Sequence, residues 1–317
     1  AAQHEEPLTR LTSLRSFGTL SPLRGAREVS KMQFWIIQTL NSIAFGGLLF
    51  LLSSGFSLAF GLMRIPNLAH GGFFMLGAYL GATITWFGGN FWLAVIGAGL
   101  GVGVIGILFE RLILRRLAGN VQGQVLVTLG VSFIIADLCL LIWTGDPWTL
   151  PAPAELRPPI RFAGFAFPTF RLVVLVIALV TAVALYVLME RTRLGAMIRA
   201  GVDDMEMARG VGIPVSLLFT VVFCLGAVLA GLGGTLGAPM LNAYPGLDTD
   251  MLPLALIVVI LGGAGSLLGA FVGSFVVGFL YNFGIALFPD LAYFILFLPM
   301  VLVLVFRPQG LFGRVVS

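Results

Sequence analysis

The stretch Ile65 to Phe109, IPNLAHGGFFMLGAYLGATITWFGGNFWLAVIGAGLGVGVIGILF, contains no Asp, Glu, Lys or Arg. A helix needs about 20 consecutive apolar residues to cross the roughly 30 Å hydrocarbon layer of a bilayer. This run is therefore long enough for two crossings, Leu68–Phe87 and the greater part of Phe91–Leu114, whose last turn carries Glu110 and Arg111. Two further runs, Gly210 to Leu247 and Met251 to Pro289, are equally free of charge. The whole chain repeats the pattern: of 317 residues, 59% are apolar and 10% charged, against about 45–50% and about 25% in soluble domains. These proportions exclude a soluble enzyme with a solvated shell. They also exclude disorder, which needs low hydrophobicity and high net charge. The fold class expected is all-α: a polytopic membrane protein of about 8–10 transmembrane segments, with lipid as its solvent.

Residues 1–31 differ from the rest. They hold Arg10, Arg15, Arg24, Arg27 and Lys31 with Glu5, Glu6 and Glu28, and read as a polar basic tail ahead of a transmembrane domain over 32–317. No apolar core of a signal peptide follows these charges within the tail. Two apolar segments are too short to span as straight helices, Phe56–Met63 and Met251–Leu261. Ser53-Ser54-Gly55 and Pro66 flank the first; Pro253 and Gly262-Gly263 flank the second. Short Gly/Pro-broken segments in both halves of a chain point to a transport pathway, because freed backbone is tolerated only beside a cavity or protein. Arg64, Asn67 and His70 accompany the first break, Asn242, Asp248 and Asp250 the second.

Short-loop arginines orient the chain. Arg111, Arg115 and Arg116 form one cluster, Arg191, Arg193, Arg199 and Arg209 another, and Arg307 and Arg314 a third. Two spans separate the first cluster from the second, and four segments the second from the third if Met251–Leu261 counts as a crossing; all three clusters then lie on the cytoplasmic side and the proline-rich stretch Gly145–Thr169 outside. If Phe34–Leu52 and Phe56–Met63 form one crossing, the chain starts outside. These arginines set topology and give no sign of nucleic-acid binding.

Between two spans lies ERTRLGAMIRAGVDDMEMARGVGIP, Glu190 to Pro214. Asp203 reads as an N-cap, with Asp204 and Glu206 in a first turn where the helix dipole favours negative charge. Arg209 falls in the last turn and Gly210 reads as the C′ residue. With Arg199 and Met207, these residues form a short amphipathic helix whose functional reading is a docking element for a cytoplasmic partner; the alternative is a solvated loop.

Other candidates carry less pattern. Asp137 lies inside Val125–Trp143, where a carboxylate faces a bundle interior or cavity; it reads either as a coupling group or as an interhelical hydrogen-bonding group. His70 has no metal-ligand companions at ligand spacing. Cys139 and Cys224 give no disulfide framework or thiolate site. The glycines Gly262, Gly265, Gly269, Gly273 and Gly278 suit close helix packing in lipid. A zwitterionic substrate held by half-helix ends would need no dedicated charged residues.

Three blocks carry a resemblance. GLMRIPNLAHGGFFMLGAYLG (Gly61 to Gly81), RTRLGAMIRAGVDDMEMARGVGI (Arg191 to Ile213) and LGGAGSLLGAFVGSFVVG (Leu261 to Gly278) are similar, in this order, to permeases of branched-chain amino-acid ABC importers. The last block also occurs in the wider superfamily that includes sugar permeases. The resemblance implies a multi-pass subunit in the bacterial inner membrane. It also implies a paralogous permease, two cytoplasmic ATPases and an extracytoplasmic substrate-binding protein as partners, with the loop at 190–214 carrying a coupling helix. No cofactor is expected in this chain; ATP and Mg would sit on the partners. The sequence agrees on one point: it has no G-x-x-x-x-G-K-[ST], and its only lysine is Lys31, so it is not expected to be an ATPase itself. The competing readings are a secondary transporter using Asp137 as a proton site and an intramembrane enzyme centred on His70 and Asp137.

Overall fold

The computed structural model of the protein describes residues 21–162 and 165–313. In chain order these form α1 (Ser21–Met63), α2 (His70–Trp86), α3 (Phe91–Leu112), α4 (Val121–Trp143), an antiparallel hairpin of β1 (Ile160–Phe162) and β2 (Phe165–Phe167), α5 (Thr169–Arg191), α6 (Arg193–Asp203) and α7 (Met205–Gly210). Then follow α8 (Val215–Leu241), α9 (Leu247–Gly262), α10 (Leu267–Leu287) and α11 (Ala292–Phe306). Among the described residues seven helices are long and apolar enough to cross a membrane: α1, α3, α4, α5, α8, α10 and α11 with the turn before it. With the shorter α2 and α9, at 17 and 16 residues, the all-α polytopic expectation holds.

The first short segment does not exist as a separate element. Phe56–Met63 is the end of α1, which runs unbroken through Ser53-Ser54-Gly55. The reason is packing. Both serines are fully buried, and the Ser54 hydroxyl donates to the Leu51 carbonyl at 3.3 Å inside the helix. Gly55 lets the α8 backbone close in at Gly226. The same helix takes in the second part of the expected tail, since α1 starts at Ser21; the tail's residues 1–20 lie outside the described residues. Pro253 likewise sits within α9 and does not end it.

Helix directions follow from the contacts. Near its start α1 meets the end of α10, where the Gln38 amide donates to the Asn282 carbonyl at 2.6 Å, and the start of α5, through Arg171 and Asn41. Near its end Gly61 lies against Gly265, and the Arg64 guanidinium donates to the Val202 carbonyl on α6 at 3.4 Å. The Arg111–Arg116, Arg191–Arg209 and Arg307 regions thus share one face, the arginine-rich face. The start of α1, the hairpin and the Trp143–Trp148 corner lie on the other.

The chain is built as two inverted halves. Helix α1 runs to the arginine-rich face, and α8 runs away from it. Each ends on a non-glycine residue in the left-handed region, Arg64 at φ 56 and Asn242 at φ 67. Each is followed by a proline-containing irregular segment and a short helix, α2 or α9. Helix α1 packs on α10 as α8 packs on α3, α2 on α3 as α9 on α10, and α2 on α4 as α9 on α11. The late glycines act as close-contact points, Gly262 against Gly269 and Gly278 against Gly46 and the Ser42 carbonyl, as packing in lipid requires.

Candidate functional site

The irregular segments reverse the chain at membrane depth. After Met63 the chain turns at Arg64 and climbs back along α1. By His70 it has reached Leu52, about three turns before the end of α1, where the His70 Nε2 pairs with the Leu52 carbonyl at 2.9 Å. The imidazole also stacks on Phe56 with centroids 5.1 Å apart, and His70 is 1% exposed. Asn67 is buried too; its Oδ1 accepts from the Ala69 amide at 3.2 Å and so shapes the entry into α2. These two predicted residues are brought together as an internal brace of the first re-entrant segment.

The starts of α2 and α9 meet. A Cβ on Gly71 would stand 2.6 Å from the Asp248 carbonyl oxygen, so two helix N-termini lie side by side, close to the level of Leu52 in the spanning helix α1. Asp248, which accompanies the second break with Asn242 and Asp250, is 4% exposed. The cause is that α9 begins below the surface, where its first turn packs on α2 and α4. The Ser132 hydroxyl reaches Asp248 Oδ2 at 3.5 Å, while Oδ1 has no hydrogen-bond partner among the described residues. Two residues on, Asp250 is exposed and accepts from the Tyr244 hydroxyl at 2.5 Å. Pro253 has no amide hydrogen, so the Thr249 carbonyl lacks its usual partner four residues on. The paired N-termini present backbone amides, and this carbonyl an acceptor, within the same region.

Asn242 is exposed at the end of α8, and the adjacent Ala243 exchanges backbone hydrogen bonds with Trp148 at 2.7 and 3.0 Å. Asp137 stands apart from all of these, on the outward face of α4. No group of three His, Cys, Asp or Glu suited to a metal ion occurs among the described residues.

On the arginine-rich face the loop at 190–214 folds as two helices, where the sequence reading had one beginning at Asp203. Thr192 caps α6, its hydroxyl accepting from the Gly195 amide at 3.1 Å. Asp203 is the last residue of α6, and Asp204 caps α7 through Oδ1 and the Met207 amide at 2.9 Å. Gly210 closes α7, and the left-handed glycine is Gly212 at φ 84. The cap moved by one residue because α6 is anchored: Ile198 is fully buried and Gly201 lies against Leu62 of α1. That anchorage fixes where the first helix must stop.

Helix α7 buries Ala208 inward and leaves Met207 64% and Val211 69% exposed. Glu206 and Arg209 flank them, also exposed. Arg199 pairs with Glu190 at 3.6 Å. Behind this loop a cleft of about 1320 Å³ opens between α1, α5, α6 and α9–α11. Arg64, Glu190, Arg199 and Asp203 line its mouth, and it reaches inward to Phe50 and Phe271.

Two buried carboxylates were missed as such. Glu110, near the end of α3, is 2% exposed and accepts from the Thr220 hydroxyl of α8 at 2.7 Å; the other is Asp248. Their positions next to arginine and at a helix start look solvated in sequence, and only the packing of α8 and α9 encloses them.

Comparison with known proteins agrees with this architecture. Residues 38–304 match the family described as branched-chain amino acid transport system, permease component. The chain is 26% identical over 297 residues to the high-affinity branched-chain amino acid transport system permease protein BraD of Pseudomonas aeruginosa, covering 88% of this chain and 96% of that protein. It is 25% identical over 301 residues to the corresponding permease protein LivH of Escherichia coli K12, covering 89% and 96%. It is also 28% identical over 186 residues to the autoinducer 2 import system permease protein LsrC of an Enterobacter species, covering 54% and 53%. No solved structure matches the chain. The match runs through both inverted halves and the loop between them, and the chain belongs to the branched-chain amino-acid transport permease family.

Proposed function

We propose that this chain is a membrane subunit of an ATP-driven importer of branched-chain or related amino acids in a bacterial inner membrane. Two separate ATPases energise it, a paralogous permease pairs with it, and an extracytoplasmic binding protein feeds it. ATP and Mg belong to the ATPases. The observation that carries the reading is the mechanical path from α7 to the re-entrant segments. Met207 and Val211 offer an apolar face to a cytoplasmic partner, with Asp204, Glu206 and Arg209 giving it orientation. Helix α6 connects that face to the end of α1 through Gly201 and Leu62 and to Arg64 through the Val202 carbonyl.

Closure of the ATPases on ATP would push α6 and α7 against the end of α1 and the start of α10, where Val202 lies close to Gly265. The bundle re-angles, and the cleft on the arginine-rich face opens or closes in turn. The substrate zwitterion passes near the paired starts of α2 and α9, where backbone amides favour its carboxylate and the freed Thr249 carbonyl its ammonium. No side chain does chemistry. Co-purification tests the reading: a stoichiometric ATPase recovered with the intact chain, and lost when Met205–Gly210 is scrambled, is the expected result. Recovery that ignores the scramble contradicts it.

A further inference from the structure

Helix α4 has two unlike faces. One buries Thr128, Ser132, Ile135, Cys139 and Trp143. The opposite face carries Leu126 at 69%, Phe133 at 58% and Leu141 at 79% exposure, all apolar and suited to lipid. Asp137 sits in the middle of this stripe, exposed and without a hydrogen bond or ion pair among the described residues. Gly130, two turns earlier on the same stripe, has nothing within 4 Å of the position its Cβ would take.

The depth of Asp137 makes this arrangement untenable in lipid. Trp143, at the end of α4, donates to Thr83 at 2.6 Å and has its carbonyl bonded by Trp148 at 2.9 Å, in a tryptophan-rich corner that also includes Trp86. Such aromatic corners mark the membrane interface. Asp137 lies six residues before it, about 9 Å further in along the helix. An aspartate side chain is too short to reach back to water, and lipid tails offer no donor. Gly130 supplies what close helix approach needs, a position with no side chain.

We propose that this α4 stripe is the docking surface for the paralogous permease subunit, and that the paralogue presents a hydrogen-bond donor, cationic or amide, to Asp137. A second copy of this chain fits less well. A twofold interface centred on this stripe would set two carboxylates against each other in a low dielectric, where like charges repel strongly. Charge complementarity therefore selects a different chain. This inference rests on the importer reading only in requiring that a second permease exists.

The test uses the assembled complex in native membranes, with a photo-crosslinking phenylalanine analogue at Phe133, and separately at Leu108 of α3 and Val180 of α5 as lipid-facing controls. Phe133 is expected to trap the paralogue and the controls to trap none. Adducts of Phe133 with lipid alone, or with a second copy alone, overturn the proposal. Asp137→Leu is expected to lower recovery of the permease pair about five- to thirty-fold, the range of an interhelical hydrogen bond. Asp137→Asn should retain most of it, with the melting temperature of the isolated chain unchanged in both. Pairing by Asp137→Leu as tight as by the unaltered chain overturns it too. If no second permease accompanies the unaltered chain, the importer reading fails first, and that result is separable from the adduct pattern.

Discussion

Gly55 of α1 and Gly226 of α8 meet backbone to backbone, and a methyl group on Gly55 would stand 2.6 Å from the Gly226 Cα. This contact joins the first helices of the two inverted halves. Gly55→Ala is expected to cost about 1–3 kcal/mol, the range for overpacking a tight interior, read as a lower melting temperature in detergent. Gly101→Ala is the control: its nearest neighbour would be a Leu80 methyl at an ordinary 3.7 Å, and it should leave the melt unchanged.

The Glu110–Thr220 pair ties α3 to α8 at 2.7 Å. Thr220→Val keeps the shape but leaves a buried carboxylate without that donor, with an expected loss of about 1–3 kcal/mol or more. Thr220→Ser restores the donor and should recover most of the loss. A chemical-denaturation or thermal series on the purified chain reads the difference.

Removal of the His70 brace should loosen the first re-entrant segment. His70→Ala loses both the contact with the Leu52 carbonyl and the stacking on Phe56. Hydrogen exchange over 64–72 is expected to rise, with uptake reduced. His70→Gln keeps a donor and should fall between the two.

Helix α7 depends on its cap. Asp204→Ala should destabilise it by about 1 kcal/mol, and Asp204→Asn by much less, because both Asp and Asn are strong caps. The readout is ATP hydrolysis stimulated by substrate-loaded binding protein. Met207→Ala should weaken ATPase recovery without changing the melt, since Met207 is 64% exposed and touches little of its own chain.

The spans were legible in the sequence because charge is excluded from them, but Ile65–Phe109, which read as two crossings, holds one spanning helix, α3, and the shorter re-entrant α2. The helical character of the loop at 190–214 was legible because caps and dipole charges are local chemistry, while its division into α6 and α7, with the cap at Asp204 and the left-handed glycine at Gly212, was not. Lateral position was not. Helices that are apolar all round carry almost no periodicity, so depth in the sequence does not tell which side of a helix faces its neighbours. Asp137 and Asp248 show both sides of this. Asp137 lies deep in an apolar run yet faces outward; Asp248 lies at a helix start, the usual place of a solvated carboxylate, yet is enclosed because α9 starts inside the bilayer. Ser53-Ser54-Gly55 looked like a break for a related reason. In water such residues compete with helix, whereas here packing uses their small size, and the break falls at Arg64.

In the proposed mechanism α6 and α7 transmit ATP-driven motion to the re-entrant segments. Uptake of labelled branched-chain amino acid into proteoliposomes holding the complete complex tests it most directly. Uptake should require ATP inside the α7-facing compartment, persist with a protonophore, and fall to background when Met205–Gly210 is scrambled. Uptake that survives ATP depletion and collapses with a protonophore would contradict the account.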